Sequence, residues 1–318
     1  GDKVLNIILE LSRLNIKILP SDINFSDVGF TVEINKGELC IRSGLANIKN
    51  IGIELAKFIV NNRLENGNYD SIINFFTRMD DKLINKRQVE FLAMAGVFDE
   101  VFSNRNAIFD SSTKLVALSK NSQKDRDSCQ QGLFGADLNN TNALKILSNS
   151  CKWNDSEYLI NEYLSLGFFI SKNPIAGKRT YFKKFNLSNS IAMENNKVNG
   201  KLFEIIGFLV KIEERVINNQ KVSDLLFIDE WGSFSLFIFA DSHDFDEKLI
   251  LAGESYVLTV VNSIDSDRRM RLRLRSIRKI SSFIKHSSES IKIHLKNIND
   301  IEKLKTKLED FKEGRNKV

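Results

Sequence analysis

The sequence predicts a multidomain α+β fold in which a helical region precedes a small β-barrel. Between residues 44 and 119, and again between residues 153 and 164, apolar residues recur at helical spacing. Between residues 200 and 280 they alternate or run continuously over strand-length stretches. The 318 residues are 42% hydrophobic and 27% charged, an ordinary composition for a chain that folds into two or three globular domains. We therefore expect two structurally different halves.

The composition argues against membrane insertion, export and disulfide stabilisation. No run of 18 or more apolar residues occurs, and residues 1–11 form a charged amphipathic segment rather than a signal peptide. Cys40, Cys129 and Cys151 are odd in number and far apart, so neither a disulfide framework nor a zinc ribbon is expected. A reducing cytoplasm is the expected location, and the net charge of +5 favours an anionic partner.

The first 43 residues are predicted to form the edge of a larger domain. Residues 16–20 are extended until a proline stops them, and residues 28–41 form a hairpin with its turn at residues 35–37. The chain has no initiator Met and stops at Val318 where another element would begin, so we expect a piece excised from a longer protein.

Residues 44–64 have the spacing of a helix-hairpin-helix unit: a short apolar segment, a tight turn at residues 49–52, and an apolar-periodic helix. The turn needs residues that tolerate positive φ, which Gly52 provides freely and Asn50 at some cost. Backbone N–H groups at the start of the second helix can hold a phosphate without reading base sequence. Lys49, Asn50 and Gly52 are therefore candidate DNA contacts, with helical hairpins that merely pack together as the alternative.

A second helical unit follows. It has a capping-box start at Asn85, a helix over residues 86–95 that stops at a glycine, and another helix from Asn104 to Ser119. Basic residues close to these turns, and the glycine itself, are further candidate DNA contacts. They are Lys86, Arg87, Gly96 and Arg105.

Five stretches after residue 200 have the length and period of β-strands, with a helix-like segment at residues 245–251 between the third and the fourth. This number and order predict a five-stranded OB-fold barrel, and a generic five-stranded barrel is the alternative. Residues 291–295 and 300–311 then read as a strand and a helix, the truncated β-α opening of a further domain. The five predicted strands are residues 202–217, 221–229, 233–239, 255–261 and 270–280.

The last of these strands carries alternating arginines. With a period of two, Met270, Leu272 and Leu274 line the barrel interior, while the arginines between them share the outer face. Such a row of guanidinium groups favours nucleic acid as a partner, unless acids on neighbouring strands neutralise it. The arginines are Arg269, Arg271, Arg273 and Arg275, and the neighbouring acids are Asp224, Asp229 and Glu230.

Aromatic residues on the second and third strands are candidate platforms for stacking single-stranded bases, which contributes roughly 1 to 3 kcal/mol per base. They are Phe227, Phe237 and Phe239. Strand alternation places at least some of them in the core.

A catalytic centre is not expected in this chain. Two-metal nucleotidyl transfer needs clustered carboxylates, and the two Asp-x-Asp pairs, at residues 244–246 and 265–267, fit a helix cap and a turn instead. The three histidines have no metal-ligand spacing, and no GxxxxGK sequence occurs. We expect neither a metal nor a cofactor in this segment.

The segment at residues 121–142 is polar, like an exposed linker, except for the pentapeptide from Gln130 to Phe134. One interpretation is a short peptide that binds another protein, with Leu133 and Phe134 as apolar anchors and Gln130 setting the register. The other is a loop that folds back onto the adjacent domain.

Five stretches, in this order, resemble the C-terminal portion of the DNA polymerase III alpha subunit, the bacterial replicative polymerase of the C family. Among them, the pentapeptide has the QxxLF form of a sliding-clamp-binding peptide. The stretches extend over nearly the whole chain. They are residues 18–24, 44–52, 92–99, 130–134 and 166–175.

The resemblance implies a non-catalytic segment that binds duplex and single-stranded DNA and tethers a polymerase to the beta sliding clamp for processive DNA synthesis. The polymerase carboxylates, which use magnesium, would lie upstream. The implied order is the end of the fingers domain at residues 1–43, a tandem helix-hairpin-helix DNA-binding region at 44–120, the linker with the clamp peptide at 121–142, a helical connector at 143–199, the OB-fold domain at 200–284 and the start of the domain that binds the tau subunit at 285–318.

The chain departs from the family pattern at two places. Asn50 stands where the family usually has glycine, and Lys172-Asn173 stands where it commonly has Gly-His before the proline. No role of that histidine is therefore transferred. Outside the family, the alternative is a free-standing OB-fold adaptor that binds RNA or a protein partner.

Overall fold

The computed structural model describes residues 7–8, 10–11, 14–127, 146–178, 184–196, 198–217, 220–239, 250–264 and 270–282. Residues 1–278 form one compact unit and residues 279–318 a second. Residues 245–249 of the predicted helix at 245–251 lie outside the described residues, and its last two residues, 250 and 251, are not helical. The elements predicted at 291–295 and 300–311 lie wholly outside the described residues. Within the described ranges, no helix is long and apolar enough to cross a membrane.

The N-terminal residues form a small three-stranded sheet in the order β1-β3-β2. β3 runs parallel to β1 and antiparallel to β2. Lys36 and Gly37 take positive φ values of 51° and 83° at the tip of the β2–β3 hairpin, which confirms the predicted hairpin and its turn. The strands are β1 (Lys17–Leu19), β2 (Thr31–Asn35) and β3 (Glu38–Arg42).

Seven α-helices have both ends within the ranges given above, and single 3-10 turns occur at Leu45–Asn47 and Ala176–Lys178. The helices are α1 (Ile53–Asn66), α2 (Ile72–Arg78), α3 (Lys86–Ala95), α4 (Arg105–Asp110), α5 (Ser112–Asp127), α6 (Asp155–Leu166) and α7 (Ser190–Asn195).

Side-chain caps determine where several of these helices begin. The predicted capping box of α3 is confirmed: Asn85 accepts from the N–H of Gln88 at 3.1 Å, and the Gln88 side chain accepts from the N–H of Asn85 at 2.8 Å. The single helix predicted from Asn104 to Ser119 is wrong in its bounds. The chain forms α4 and then α5, because Ser111 ends α4 with an N–H that bonds the carbonyl groups of the preceding turn.

The core of the helical half is an aromatic cluster beneath α1, α2 and α3. Phe75, Phe76 and Phe98 are fully buried, and Phe75 meets the other two edge to face at centroid distances of 5.0 and 5.1 Å. The ring of Tyr69 lies 5.0 Å from Phe75, and its hydroxyl donates a 3.0 Å hydrogen bond to the carbonyl of Ile59 in α1. One core therefore holds both helical units and fixes their turns relative to each other.

The second half is a sheet of five strands in the barrel order β4-β5-β6-β8-β7. β4 pairs antiparallel with both β5 and β7, β5 pairs antiparallel with β6, and β6 meets β8 in parallel at Phe237 and Arg273. The predicted α+β class and its five strands are confirmed, while the narrower OB-fold assignment stays a prediction. The strands are β4 (Leu202–Ile217), β5 (Gln220–Ile228), β6 (Ser233–Phe239), β7 (Ser255–Ile264) and β8 (Met270–Lys279).

Alternate residues of these strands fill the barrel interior. Phe227 of β5 and Phe234 of β6 stack with their centroids 5.7 Å apart. Gly207 of β4 allows this packing, because a Cβ at that position would come within 2.9 Å of the Phe227 ring. Leu274 of β8, which is 9% exposed, belongs to the same core as predicted.

Helix α6 and the loop after it connect the helical half to the barrel. The Ser156 hydroxyl donates to the carbonyl of Gly253, just before β7, at 3.1 Å. The ring of Phe169 lies edge to face with Phe208 of β4 at a centroid distance of 6.4 Å. Surfaces of the two halves are therefore held in a fixed relation within the one compact unit.

Candidate nucleic-acid interface

The first turn, residues 49–52, is built as a sharp connection between the 3-10 turn and α1. Leu45 and Ile48 are buried on its inner side, while Lys49 and Asn50 are exposed. Asn50 has a φ of 64°, so this residue supplies the left-handed conformation that the turn was predicted to need.

Gly52 does not supply it, which corrects one part of the prediction. Its φ of −74° and ψ of 157° are extended values open to any residue, and a Cβ there would meet nothing within 4 Å. Gly52 is instead the N-cap of α1 and makes no side-chain capping bond. Since the first N–H groups of a helix have no intrahelical partner, the absence of a side chain leaves them open to an anion.

Lys49 is positioned by contacts on both its backbone and its side chain. Its N–H donates to the carbonyl of Ser165 in α6 at 2.9 Å, and its ammonium lies 5.9 Å from the centroid of the Tyr163 ring. Partial burial lowers the pKa of Lys49, and the nearby positive charge of Lys211 lowers it further. No carboxylate of the described residues forms an ion pair with it.

Lys211 of β4 is a residue that the sequence analysis did not single out. It alternates with Glu213 and Arg215, a pattern that marks an outward-facing strand surface. Glu213 makes an ion pair with Lys211 and another with Arg215 at 2.8 Å. The alternation was visible in the sequence, but only the tertiary structure brings this strand close to the first turn.

The second unit begins with two exposed basic residues on the first turn of α3. Lys86 lies 3.6 Å from Glu90 one helical turn later, and the guanidinium of Arg87 lies 5.8 Å from the centroid of the Phe91 ring. Both side chains reach solvent, so they stay candidate DNA contacts.

Arg105 is not a surface residue, and its predicted role as a DNA contact is wrong. It is 6% exposed, and its guanidinium donates to both carboxylate oxygens of Asp99 and to the carbonyl of Met94 at 3.0 Å. It also donates to the hydroxyl of Tyr158 in α6 and lies 4.1 Å from the centroid of that ring. Its hydrogen-bonding capacity is therefore used inside the fold.

The prediction that Gly96 contacts DNA is also wrong, for a related reason. This residue is buried, its φ is 77°, and its N–H is already bonded to carbonyl groups at the end of α3. A Cβ built on Gly96 falls onto the guanidinium of Arg105. In the second turn, residues 96–105, the glycine leaves space for the buried side chain of this arginine. Its own N–H is already hydrogen-bonded and is not available to a phosphate.

The loop after α6 is held by a buried carboxylate. Glu162 accepts hydrogen bonds from the N–H of Ile170 at 3.2 Å and from the hydroxyl of Ser171 at 2.9 Å. Burial raises the pKa of Glu162, although these hydrogen bonds act in the opposite direction. The contact fixes the segment that carries Phe169 to the barrel.

The outer face of β8 carries the arginines as predicted, at the positions that the structure describes. Arg273 and Arg275 are exposed on either side of the buried Leu274. Arg269 and the side chain of Arg271 lie outside the described residues.

Two of the acids considered as neutralising partners are engaged elsewhere. Asp224 lies 3.2 Å from Arg215 of β4. Asp229 accepts from the N–H of Ser190 at 2.6 Å and so holds the start of α7. Within the described ranges, neither Arg273 nor Arg275 has an ion-pair partner.

The three candidate stacking rings divide between inside and outside. Phe227 is fully buried in the barrel core, because its strand position points inward, so its prediction as a stacking platform is wrong. Phe237 alternates with the buried Leu236 and Ile238, is half-buried, and pairs in register with Arg273. The side chain of Phe239 lies outside the described residues.

Two further sets of sequence predictions lie outside the described residues. The first is the candidate clamp-binding set, Gln130, Leu133 and Phe134. The second comprises the Asp-x-Asp pairs at residues 244–246 and 265–267.

Comparison with protein-family models gives a match to the helix-hairpin-helix motif over residues 15–108. This range contains both turns. The motif predicted from the spacing of residues 44–64 is therefore confirmed at the level of the family model.

Comparison with curated proteins finds DNA polymerase III alpha subunits. The chain is 28% identical to that of Caulobacter vibrioides over 237 residues, 74% of this chain and 20% of the relative. It is 26% identical to that of Borreliella burgdorferi over 328 aligned residues, 99% of this chain and 28% of the relative, and 28% identical to that of Aquifex aeolicus over 301 residues, 93% and 24%. The chain thus spans about a quarter of the length of the relatives it matches, and the predicted resemblance is confirmed.

Proposed function

We propose that this chain, which is similar to part of the DNA polymerase III alpha subunit, is a DNA-gripping and clamp-tethering segment of a replicative polymerase. The observation that carries the proposal is the similarity to such subunits over as much as 99% of the chain, together with a helix-hairpin-helix motif. The nucleotidyl transfer itself, with magnesium, is assigned to the longer polymerase. The segment is proposed to be inactive alone.

The first turn is the proposed grip on duplex DNA. Lys49, Asn50 and Gly52 present an exposed cation and an uncovered helix start, a combination that contacts phosphate oxygens and carries no base information. Lys86 and Arg87 at the start of α3 extend the same function, since both are exposed. Duplex affinity is then sequence-independent and falls with salt.

The outer face of the barrel is the proposed grip on the single-stranded template. Arg273 and Arg275 meet phosphates, while the half-buried ring of Phe237, in register with Arg273, supplies a face on which a base stacks. Arg269 and Arg271 are proposed to continue the same row. This combination of cations and a ring is what sequence-tolerant binding of single strands requires.

Two protein partners complete the proposal. Gln130, Leu133 and Phe134 are proposed to occupy a pocket of the beta sliding clamp, and residues 285–318 to begin the region that contacts the tau subunit of the clamp loader. Both rest on the resemblance of the sequence. A peptide anchored by two apolar side chains loses several kcal/mol of binding free energy when both side chains are truncated.

The experiment that tests this function measures binding of the 318-residue chain to primed DNA, blunt duplex, single-stranded DNA and structured RNA over a range of salt. We expect primed DNA to bind best, with log affinity falling linearly as log salt rises. Replacing both Arg273 and Arg275 by Ala should weaken single-strand binding, whereas exposed Lys82→Ala should not. Preference for structured RNA would favour the free-standing adaptor instead.

The clamp contact is tested separately. Purified beta clamp should retain the unaltered chain and lose the variant in which Leu133 and Phe134 are both Ala. If the variant binds the clamp as well as the unaltered chain, the tether assignment is wrong.

A further inference from the structure

The small N-terminal sheet has an apolar outer face. Four apolar side chains lie on it in two cross-strand pairs, Val32 opposite Ile41 and Ile34 opposite Leu39. Val32, Ile34 and Leu39 are 67%, 75% and 62% exposed. The polar Glu33, between two of them in β2, points to the opposite face. An antiparallel sheet with one face in solvent ordinarily turns its polar side chains outward, so this outer face has the composition of a buried surface.

β2 is an edge strand, because the strand order of this sheet is β1-β3-β2. Residues 31–35 pair with β3 on one side, and among the described residues they make no backbone hydrogen bond on the other. An unpaired edge is a template for another extended chain, and proteins usually protect it with charged residues or proline. Within β2 the only charged residue is Glu33, whose carboxylate accepts from Arg42 at 2.8 Å. The β2 edge is therefore open to a partner strand.

A cavity of about 530 Å³ lies beside β2, and residues 33–35 contribute to its lining. The rest of the lining comes from Arg42 and from parts of residues 20–25 and 96–100. One of the lining side chains, Phe25, is 58% exposed, and the guanidinium of Arg42 lies 5.3 Å from the centroid of its ring. A side chain that enters this cavity therefore meets an apolar ring as well as charged groups.

The cavity is negatively charged. Four carboxylates line it, those of Asp22, Glu33, Asp99 and Glu100. Arg42 neutralises Glu33 at 2.8 Å, and the buried Arg105 neutralises the third carboxylate at 2.6 Å. Within the described ranges, neither Asp22 nor Glu100 has an ion-pair partner. Because the remaining charge repels phosphate, the cavity favours a cation and not nucleic acid.

Asp22 is the carboxylate best placed to receive that cation. It is 4% exposed, and its Oδ1 accepts from the N–H groups of Asn24 at 2.6 Å and Phe25 at 3.2 Å. Its Oδ2 makes no hydrogen bond within the described part of the chain. Burial raises the pKa of Asp22 and the charge of Glu100 raises it further, although the two N–H groups and Arg42 act in the opposite direction. A cation at Oδ2 would offset the cost of burying this charge.

We propose that an extended segment from the preceding part of a longer polymerase adds to the edge of β2 as a fourth strand of the small sheet. Side chains of a strand alternate between its two faces. Apolar residues of the added strand lie beside Val32 and Ile34 on the outer face, and a lysine or arginine between them enters the cavity and pairs with Asp22. Main-chain hydrogen bonds supply affinity, and the alternation of apolar and basic residues supplies specificity.

The source of the segment is argued from the similarity to known polymerases. The chain is similar to the C-terminal portion of such subunits and covers 28% of one relative and 24% of another. Most of such a polymerase therefore precedes it, and the small sheet, which begins at Lys17, is the part of this chain nearest to that polypeptide in sequence. The inference rests on the part of the proposed function that places this chain in a longer polymerase.

The test compares the 318-residue chain with the longer polymerase that contains it. Ile34→Cys is made in both proteins, and its reaction with a maleimide is followed by mass spectrometry of the labelled peptide. Labelling should be at least about tenfold slower in the longer polymerase, because the added strand covers residue 34. Val216→Cys, at a position on β4 that is 70% exposed, is the matched control and should react at the same rate in both proteins.

The charge of the cavity is tested in the longer polymerase by combining Asp22→Asn with Ile34→Cys. Asparagine keeps an oxygen that accepts from Asn24 and Phe25 but lacks the negative charge, so labelling at residue 34 should become several-fold faster. Glu54→Gln, which removes an exposed acid from α1, is the control and should leave the labelling rate unchanged. Equal labelling rates with and without Asp22→Asn would show that the cavity takes no basic side chain.

Hydrogen–deuterium exchange separates strand addition from simple covering of the apolar face. Residues 31–35 should exchange more slowly in the longer polymerase, because N–H groups on the free edge of β2 gain carbonyl partners. Protection of residue 34 from maleimide with unchanged exchange at residues 31–35 would mean that no strand is added, and the proposal would be wrong.

Two further outcomes overturn the proposal. Equally fast labelling of Ile34→Cys in both proteins would show that nothing in the longer polymerase covers the face. Labelling of the 318-residue chain that slows as its concentration rises would identify a second copy of the chain as the occupant. DNA binding by the 318-residue chain is measured without the longer polymerase, so failure of this interface leaves the DNA-binding function standing.

Discussion

The first and second turns of the helical half contain the same kinds of residue and use them in opposite ways. In the first turn, Lys49 and Gly52 are exposed, and the helix start behind them is open. In the second turn, Gly96 and Arg105 are buried against each other. A basic residue beside a tight turn therefore stays exposed, as a candidate DNA contact, only where the fold itself supplies no nearer anion.

The second turn has that anion. Asp99 and the carbonyl of Met94 lie within hydrogen-bonding distance of Arg105, and Tyr158 of α6 covers the guanidinium face. The arginine joins α3, α4 and α6. The second turn therefore contributes to stability, whereas the first turn is the one proposed to bind DNA.

The largest expected effect concerns the buried arginine. Arg105→Met should lower the free energy of unfolding by about 3 kcal/mol, because it leaves buried hydrogen-bonding groups without their partner. Arg87→Met, an exposed arginine of the same unit, should change it by less than about 0.5 kcal/mol. Urea unfolding followed by circular dichroism measures both. Equal effects would contradict the assignment of Arg105 to the interior.

The two glycines give the next contrast. Gly96→Ala should lower the free energy of unfolding by about 2 to 4 kcal/mol, because the φ of 77° at this position disfavours a side chain and the new Cβ meets the Arg105 guanidinium. Gly52→Ala should lower the free energy of unfolding by less than about 1 kcal/mol, which is the difference between a good and a poor N-cap residue. Urea unfolding measures both changes. A larger loss of unfolding free energy for Gly52→Ala than for Gly96→Ala would contradict the roles assigned to the two turns.

A smaller effect separates binding from stability at the first turn. Lys49→Met should leave the unfolding free energy unchanged within about 0.5 kcal/mol while reducing duplex affinity several-fold. Fluorescence anisotropy with a labelled duplex measures the affinity. Lys57→Met on α1, also exposed, serves as the control and should bind duplex normally.

The smallest effect tests the departure at residue 50. Asn50→Gly should stabilise the chain by up to about 1 kcal/mol, because glycine adopts a φ of 64° without the steric cost that asparagine incurs. Duplex affinity should not fall. Destabilisation by this change would show that the Asn50 side chain makes a contact on which the turn depends.

Local patterns predicted much of this architecture. The capping box at Asn85, the hairpin turn at Lys36-Gly37 and the alternation of Leu274 with its flanking arginines are short-range features, and each was readable in the sequence. The burial of Arg105 was not readable, because its partner Tyr158 is distant in the chain and the contact exists only after α6 packs on α3.

The inward orientation of Phe227 shows how far the sequence alone can predict which side chains of a strand face the core. A period of two predicts that neighbours alternate, but it does not say which set faces the core until the pairing register is known. Pairing with Phe234 of β6 places Phe227 inside, while Phe237 falls on the outer set beside Arg273.

Hydrogen–deuterium exchange of the 318-residue chain, with and without primed DNA, tests the division between the two turns most directly. We predict that DNA slows exchange at residues 49–55 and along β8, and leaves residues 96–105 unchanged. Equal protection of both turns, or protection of the second turn alone, would contradict it.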